Sequence, residues 1–339
     1  MAREASRHAR LDLNESPFPP PGIVMERVRE ELRRVNRYPE AELVDEAYRA
    51  LSEYTGVDRG YLAITCGGDS ALYTLFTMLA SPKGSVVVPR YTFSVIKRLP
   101  RLLGLKVHEV PMVERGASWR IDVEELYEAA RGASLTVIDR PNNPTGSMLA
   151  ESREILELAE ESRGFVLVDE AYHEFSRETL AASVPSHGNL VIVRTLSKAF
   201  SLAGLRIGYI IAPKELASKI RELNPYPTTR PSLAAVAAYT QPQAMRHLEK
   251  IVAHVDHWKE TIRGRLEGAG MKAYESKANF LLIETGVGDA KEKLEELGVK
   301  TRKVEIRDTM IRASIGKRWE NEKLIKALRR LRKQSKARP

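Results

Sequence analysis

Between residues 61 and 212 the chain alternates seven short runs of β-branched and apolar residues with stretches of helical periodicity, a pattern few folds accept. The runs are YLAIT, SVVVP, KVHEVP, SLTVID, FVLVDE, LVIVRT and RIGYIIA, and helical patterning fills 70–79, 93–103, 123–130 and 152–163. Strands that are apolar without interruption are buried on both faces, which predicts a mostly parallel sheet covered by helices. RIGYIIA follows LVIVRT too closely for a helical crossover, so it reads as an antiparallel member.

The flanks are organised differently. Residues 1–10 read as a loose arm, and LDLNESPFPPPG is too rich in proline for regular structure. A short amphipathic helix is expected over 23–35 and a second over 42–54, closed by Thr55-Gly56. After the break NPYPTTRP, one long helix is expected from about 232 to 266. ANFLLIET, a helix near 289–297, VKTRKVEI, MIRASIG and a last helix over 319–332 follow, which suggests a smaller α+β domain. The expected division is 1–35 for the arm and part of the small domain, 36–235 for the large domain and 236–339 for the small one.

Composition narrows the functional class. With 43% hydrophobic and 29% charged residues the chain is an ordinary globular sequence. No apolar run reaches the roughly 18 residues of a membrane span, and MAREASRHAR lacks the apolar core of a secretory signal. The single cysteine, Cys66, excludes an intrachain disulfide and a multi-cysteine metal site, which fits a cytoplasmic protein without a metal. Much of the net charge of +9 lies in KALRRLRKQSKARP. No nucleic-acid signature accompanies that run, so it reads as a solvated helix face and a frayed tail.

Chemistry-bearing residues gather where the runs end. Lys198 follows LVIVRT, beside Thr195 and Ser197 and eight positions before Arg206. A lysine at the carboxyl edge of an open α/β sheet can form an imine with a carbonyl compound once it loses its proton. Two hydroxyls and a guanidinium suit a dianionic phosphate. An amine with a phosphate grip is what pyridoxal phosphate demands, although a strand followed by a solvated lysine fits this stretch equally well. Asp169 ends FVLVD, and a carboxylate there would keep a pyridinium nitrogen protonated or simply cap the next helix. Tyr172 lies three positions on, and Asn143 sits in DRPNNPTG; both can donate to a ring oxygen. Gly68, Asp69 and Ser70 open a helix whose bare N–H groups suit a phosphate. Tyr91 could stack on a flat ring or sit in the core. Arg312, mid-strand in MIRASIG, calls for a bidentate anion, either a substrate carboxylate or an internal acid.

The order NNPTG, DEAY, TLSKAF and LAGLRIG resembles the class I/II aminotransferases of pyridoxal-phosphate fold type I, and the resemblance covers nearly the whole chain. It implies a pyridoxal 5'-phosphate enzyme with a large seven-stranded sheet domain and a smaller α+β domain. Lys198 then matches the Schiff-base lysine and proton shuttle, Asp169 the partner of the pyridine nitrogen, and Tyr172 and Asn143 the donors to the ring oxygen. Tyr91 matches the stacking aromatic. Gly68, Asp69, Ser70, Thr195, Ser197 and Arg206 match the phosphate cup, and Arg312 the arginine on the substrate's α-carboxylate or its equivalent. Tyr38, in NRYP, is similar to a tyrosine that reaches the neighbouring subunit's cofactor, which implies a homodimer with shared sites.

Within the family, LDLNESPFP, NRYPE, ANFLLIE and the pairing of EIRD with MIRASIG look most like the members that exchange an amino group between histidinol phosphate and 2-oxoglutarate. Arg307 then lies where those relatives have an arginine near the substrate's phosphate, on a shorter segment before Arg312. An aromatic or other amino-acid aminotransferase and a threonine-phosphate decarboxylase share the same cofactor residues. A DNA-binding regulator with such a domain would carry a winged helix ahead of it.

Overall fold

The computed structural model describes residues 8–80 and 84–336. The seven apolar runs form one sheet: β1 (Leu62–Thr65), β2 (Ser85–Pro89), β3 (Lys106–Val110), β4 (Leu135–Asp139), β5 (Phe165–Asp169), β6 (Leu190–Thr195) and β7 (Gly208–Ile211). Their spatial order is β1-β7-β6-β5-β4-β2-β3. β7 runs antiparallel to both β1 and β6, and the remaining pairs are parallel. Alternate residues enter two cores: Val86, Val88, Leu135, Val137, Leu167 and Val191 lie in one, and Val87, Ile138, Val166, Val168 and Ile192 in the other. Burial on both faces is why these strands carry no polar alternation, whereas the edge strand β3 leaves Lys106 and His108 exposed.

Register then decides what meets at the carboxyl edge. Asp139 pairs with Asp169 across β4 and β5, and Asp169 pairs with Val193 of β6. Gly208 of β7 lies between Thr195 of β6 and Thr65 of β1. A Cβ on Gly208 would stand 2.5 Å from the Gly67 carbonyl carbon and 2.7 Å from the Gly68 nitrogen, so only glycine lets the turn after β1 close down on the sheet.

The C-terminal part holds a four-stranded antiparallel sheet in the order Lys272–Ala273, Phe280–Glu284, Met310–Ser314, Arg302–Lys303. Arg312 pairs with Leu282 on one side and Arg302 on the other. Helices Pro242–Glu267 and Arg318–Lys336 contribute Leu248, Ile251, Val255, Leu324 and Leu328 to the core beside it.

Several elements differ from the sequence expectation. The long helix is two, Arg230–Tyr239 and Pro242–Glu267, because the chain leaves helical form at Gln241 and Pro242 restarts it. Proline is well tolerated in a first helical turn, where no donor is needed. VKTRKVEI is not one strand: Val299–Lys300 pairs in parallel with Ala9–Arg10, while Arg302–Lys303 joins the four-stranded sheet. The arm is therefore anchored at Ala9–Arg10, and residues 1–7 lie outside the described part. The end of the expected frayed tail, 337–339, lies outside it too. The first helix stops at Leu32. A hairpin, Met112–Arg115 with Ser118–Ile121, and a helix, Lys214–Leu223, are additions. Among the described residues no helix is long and apolar enough to cross a membrane.

Candidate active site

A cavity of about 450 Å³ opens at the carboxyl ends of β2, β4, β5 and β6, where the four-stranded sheet faces the large one. Lys198, just past β6, reaches into it. Its Nζ donates to the Leu13 carbonyl at 3.2 Å and stands 5.9 Å from the centre of the Tyr172 ring. Burial and the Arg312 guanidinium lower its pKa to about 8, so an appreciable share of the amine is neutral near physiological pH.

Asp169 and Asp139 lie side by side at two strand ends, but their surroundings differ. Asp139 accepts from Thr92 Oγ1 at 2.8 Å, Asn142 Nδ2 at 2.9 Å, and the backbone N–H groups of Asn143 at 2.9 Å and Phe93 at 3.4 Å. It thus ties the loops after β2 and β4 together. Asp169 accepts only from the Ala171 N–H, at 3.0 Å, among the described residues. Burial, and then the neighbouring Asp139 carboxylate, raise its pKa to about 7. A buried carboxylate with one donor and a like charge beside it calls for a cationic N–H partner. A protonated pyridine nitrogen fits that requirement.

The cavity's anion cup lies beside the turn after β1. The N–H groups of Gly68, Asp69 and Ser70, in the first turn of helix Gly68–Leu79, have no backbone acceptor among the described residues. The hydroxyls of Thr195 and Ser197 meet at 2.9 Å on the facing turn. Arg206 adopts φ 51° and reaches back until its Nη2 stands 3.4 Å from Asp69 Oδ2. A Cβ on Gly67 would meet that guanidinium at 2.9 Å. Helix N–H groups, two hydroxyls and a guanidinium fit a phosphate dianion.

The side walls carry donors and an aromatic ring. Tyr172 OH accepts from Asn14 Nδ2 at 2.9 Å, and Asn14 is itself locked by Ser314 and Asn279. Arg312 donates to the Asn143 amide oxygen and to the Asp12 carbonyl, each at 2.6 Å. Because a guanidinium only donates, Asn143 must turn its oxygen to Arg312 and keep its NH₂ for another acceptor. Tyr91 also lines the cavity; its N–H donates to Met112 Sδ at 3.4 Å and its ring meets the edge of Trp119 at 6.0 Å.

The structure brings together Lys198, Asp169, Tyr172, Asn143, Tyr91, Gly68, Asp69, Thr195, Ser197, Arg206 and Arg312. Ser70 contributes to the first helical turn but not to the lining. Tyr38 lies outside the group, 72% exposed, its ring stacked on Tyr226 at 4.3 Å. Arg307 is also outside it, held by Glu114 at 2.6 Å and Glu284 at 3.5 Å. The cations that line the cavity in its place are Lys97, Arg98, Arg101, Lys303 and Arg302, of which Arg302 lies directly across from Arg312 in the sheet. Sequence reasoning passed over Arg302, Asn14 and the anchoring role of Asp139. The run of cations in VKTRK next to a strand was the available signal for Arg302.

The family model for aminotransferase class I and II matches residues 9–328. The histidinol-phosphate aminotransferase of Sulfurisphaera tokodaii is 36% identical over 326 residues, which cover 94% of this chain and 89% of the relative. That of Pyrococcus furiosus is 36% identical over 323 residues, covering 94% and 91%. In three dimensions the chain resembles the crystal structure of histidinol-phosphate aminotransferase from Sinorhizobium meliloti in complex with pyridoxal-5'-phosphate. The TM-score is 0.88 at 24% identity, covering 98% of this chain and 94% of that one. Aspartate aminotransferase from Thermus thermophilus with maleate gives 0.83 at 24% identity, covering 98% and 93%.

Proposed function

The chain belongs to the class I and II aminotransferases and has their fold type I architecture, and from that premise we propose that it uses pyridoxal phosphate to move an amino group from histidinol phosphate to 2-oxoglutarate. The observation that carries the cofactor assignment is the under-satisfied Asp169 carboxylate in the same cavity as the lysine with a lowered pKa. The names of the relatives at 36% identity support the donor.

Bound there, pyridoxal phosphate supplies an aldehyde that takes up amines and a protonated ring that spreads the electrons left when an α-proton departs. Lys198 Nζ would hold the aldehyde in the resting enzyme. Once displaced by an incoming amine, the same Nζ would be a neutral base that takes the donor's α-proton and delivers it to the aldehyde-derived carbon within that half-reaction, and the second half of the ping-pong cycle would run the same transfer in reverse. Asp169 holds the proton on the ring nitrogen. Asn143 Nδ2 and Tyr172 OH would donate to the ring oxygen, Tyr91 would cover a ring face, and the Gly68–Ser70 turn with Thr195, Ser197 and Arg206 would grip the phosphate. Arg312 and Arg302, paired across two strands, form the anion wall against which the donor's phosphate and the acceptor's carboxylates sit. A homodimer in the cytoplasm, with Tyr38 offered to the neighbouring site, completes the reading.

The test is a comparison of amino donors in steady state with 2-oxoglutarate. The reading predicts that kcat/KM for histidinol phosphate exceeds that for phenylalanine by about tenfold or more, which corresponds to about 1.4 kcal/mol of transition-state preference. Phenylalanine as the better donor overturns the substrate assignment. Carbon dioxide release from phosphothreonine without any oxo-acid overturns the reaction class.

A further inference from the structure

The hairpin Met112–Ile121 touches both walls of the cavity. On one side it supports Tyr91: Met112 Sδ accepts the Tyr91 N–H, and the Trp119 ring abuts the Tyr91 ring. On the other side it meets the four-stranded sheet and its flanking loops. Glu114 Oε1 accepts from Lys272 Nζ at 2.5 Å and from Tyr274 OH at 2.8 Å, while Oε2 accepts from Arg307 Nη2 at 2.6 Å. Lys272 Nζ also donates to the Gly116 carbonyl at 2.7 Å, and the Glu275 N–H to the Ala117 carbonyl at 2.8 Å. Trp119 completes the bridge, 6.0 Å from the Tyr274 ring.

Arg307 sits in the segment joining Arg302 to Arg312, the two arginines of the anion wall. An isolated exposed ion pair is worth little, but one carboxylate shared by three donors from two stretches of chain, Lys272 and Tyr274 in one and Arg307 in the other, orders all of them at once. We propose that this hairpin is a spacer that sets the distance between the Tyr91 wall and the arginine wall, with Glu114 as its fastening and a positioning residue for substrate binding. Arg307 is then a ligand of Glu114 and not of the substrate. The geometric claim concerns this chain's own residues; only its kinetic arm rests on the proposed function.

The test is a double-mutant cycle on Glu114→Ala and Arg307→Ala, with Glu114→Gln as the isosteric control. Loss of the fastening predicts that each single variant raises KM for both donor and oxo-acid about 5- to 50-fold with kcat within about twofold. The double variant is expected to be no worse than the poorer single one, because both changes break the same contact. Glu114→Gln keeps the acceptor for Tyr274 and is expected to fall between parent and Ala.

Hydrogen exchange on the cofactor-free protein supplies a readout independent of activity. Residues 112–121 and 272–277 should lose protection together in Glu114→Ala. A substrate-binding Arg307 would give the opposite pattern: a raised KM in Arg307→Ala, an unchanged or lower KM in Glu114→Ala, and additive effects. That pattern overturns the proposal, as does unchanged exchange in both segments. Lower thermal stability with KM unmoved in every variant also overturns it, since that reduces the cluster to a structural one.

Discussion

The chemistry of the site is set by how unequally neighbouring residues are satisfied. Asp139 and Asp169 share a register position on adjacent strands, yet among the described residues the first has four donors and the second one. Lys198 is subject to the same physics. The folded protein holds its amine at about 8, whereas an unfolded chain holds it near 10.4. Between those values the unfolded chain binds the extra proton, so stability of the cofactor-free protein rises with pH across that window and the full cost is present at pH 7. Solvent reaching the partly exposed side chain screens some of it. Cofactor-free Lys198→Met should therefore be more stable than the parent at pH 7, by on the order of 1–3 kcal/mol, with the gap closing above about pH 10. Thermal unfolding across that range checks this; a variant that melts at or below the parent at pH 7 contradicts it. At this scale the sequence was informative for side chains that immediately follow a strand, such as Lys198 and Asp169. It could not separate the roles of Arg302 and Arg307: Arg302 is set in a strand opposite Arg312, whereas Arg307 is drawn to a carboxylate 193 positions away.

The strands other than the edge strand β3 were legible as elements because each is a largely continuous apolar run bounded by Gly, Pro or polar residues, and burial on both faces leaves no competing pattern. The hairpin over Met112–Ile121 was not, since VERGAS carries mixed polarity and its turn rests on Gly116 at φ 60°. Asn14 was hidden for a related reason. It sits in irregular chain, where no periodicity reports which side chain turns inward, yet it is 1% exposed and bonded to Tyr172. The anion cup depends on elements meeting at backbone distance, and Gly208 is where that is tightest. Gly208→Ala forces a methyl into the Gly67–Gly68 peptide, where no side chain can swing away. The expected cost is about 2–4 kcal/mol of stability together with weaker binding of pyridoxal phosphate. Calorimetry and cofactor titration measure the two, and a variant matching the parent in both would show that the turn has room the structure denies it.

At the scale of the whole molecule, one cavity collects residues from the proline-rich N-terminal stretch, the carboxyl edge of the large sheet and the four-stranded sheet near the C-terminus. Asn14, Lys198 and Arg312 become neighbours only because the N-terminal stretch returns to both the Leu13–Lys198 and Asp12–Arg312 contacts. The exposed Tyr38–Tyr226 stack lies away from this cavity. Everything proposed about catalysis depends on Lys198 being the amine that carries the cofactor. Loading the protein with pyridoxal phosphate, reducing it with borohydride and mapping the peptides by mass spectrometry asks this directly. The account predicts one pyridoxyl adduct, on Lys198, absent from Lys198→Ala. An adduct on another lysine with Lys198 unmodified would contradict it.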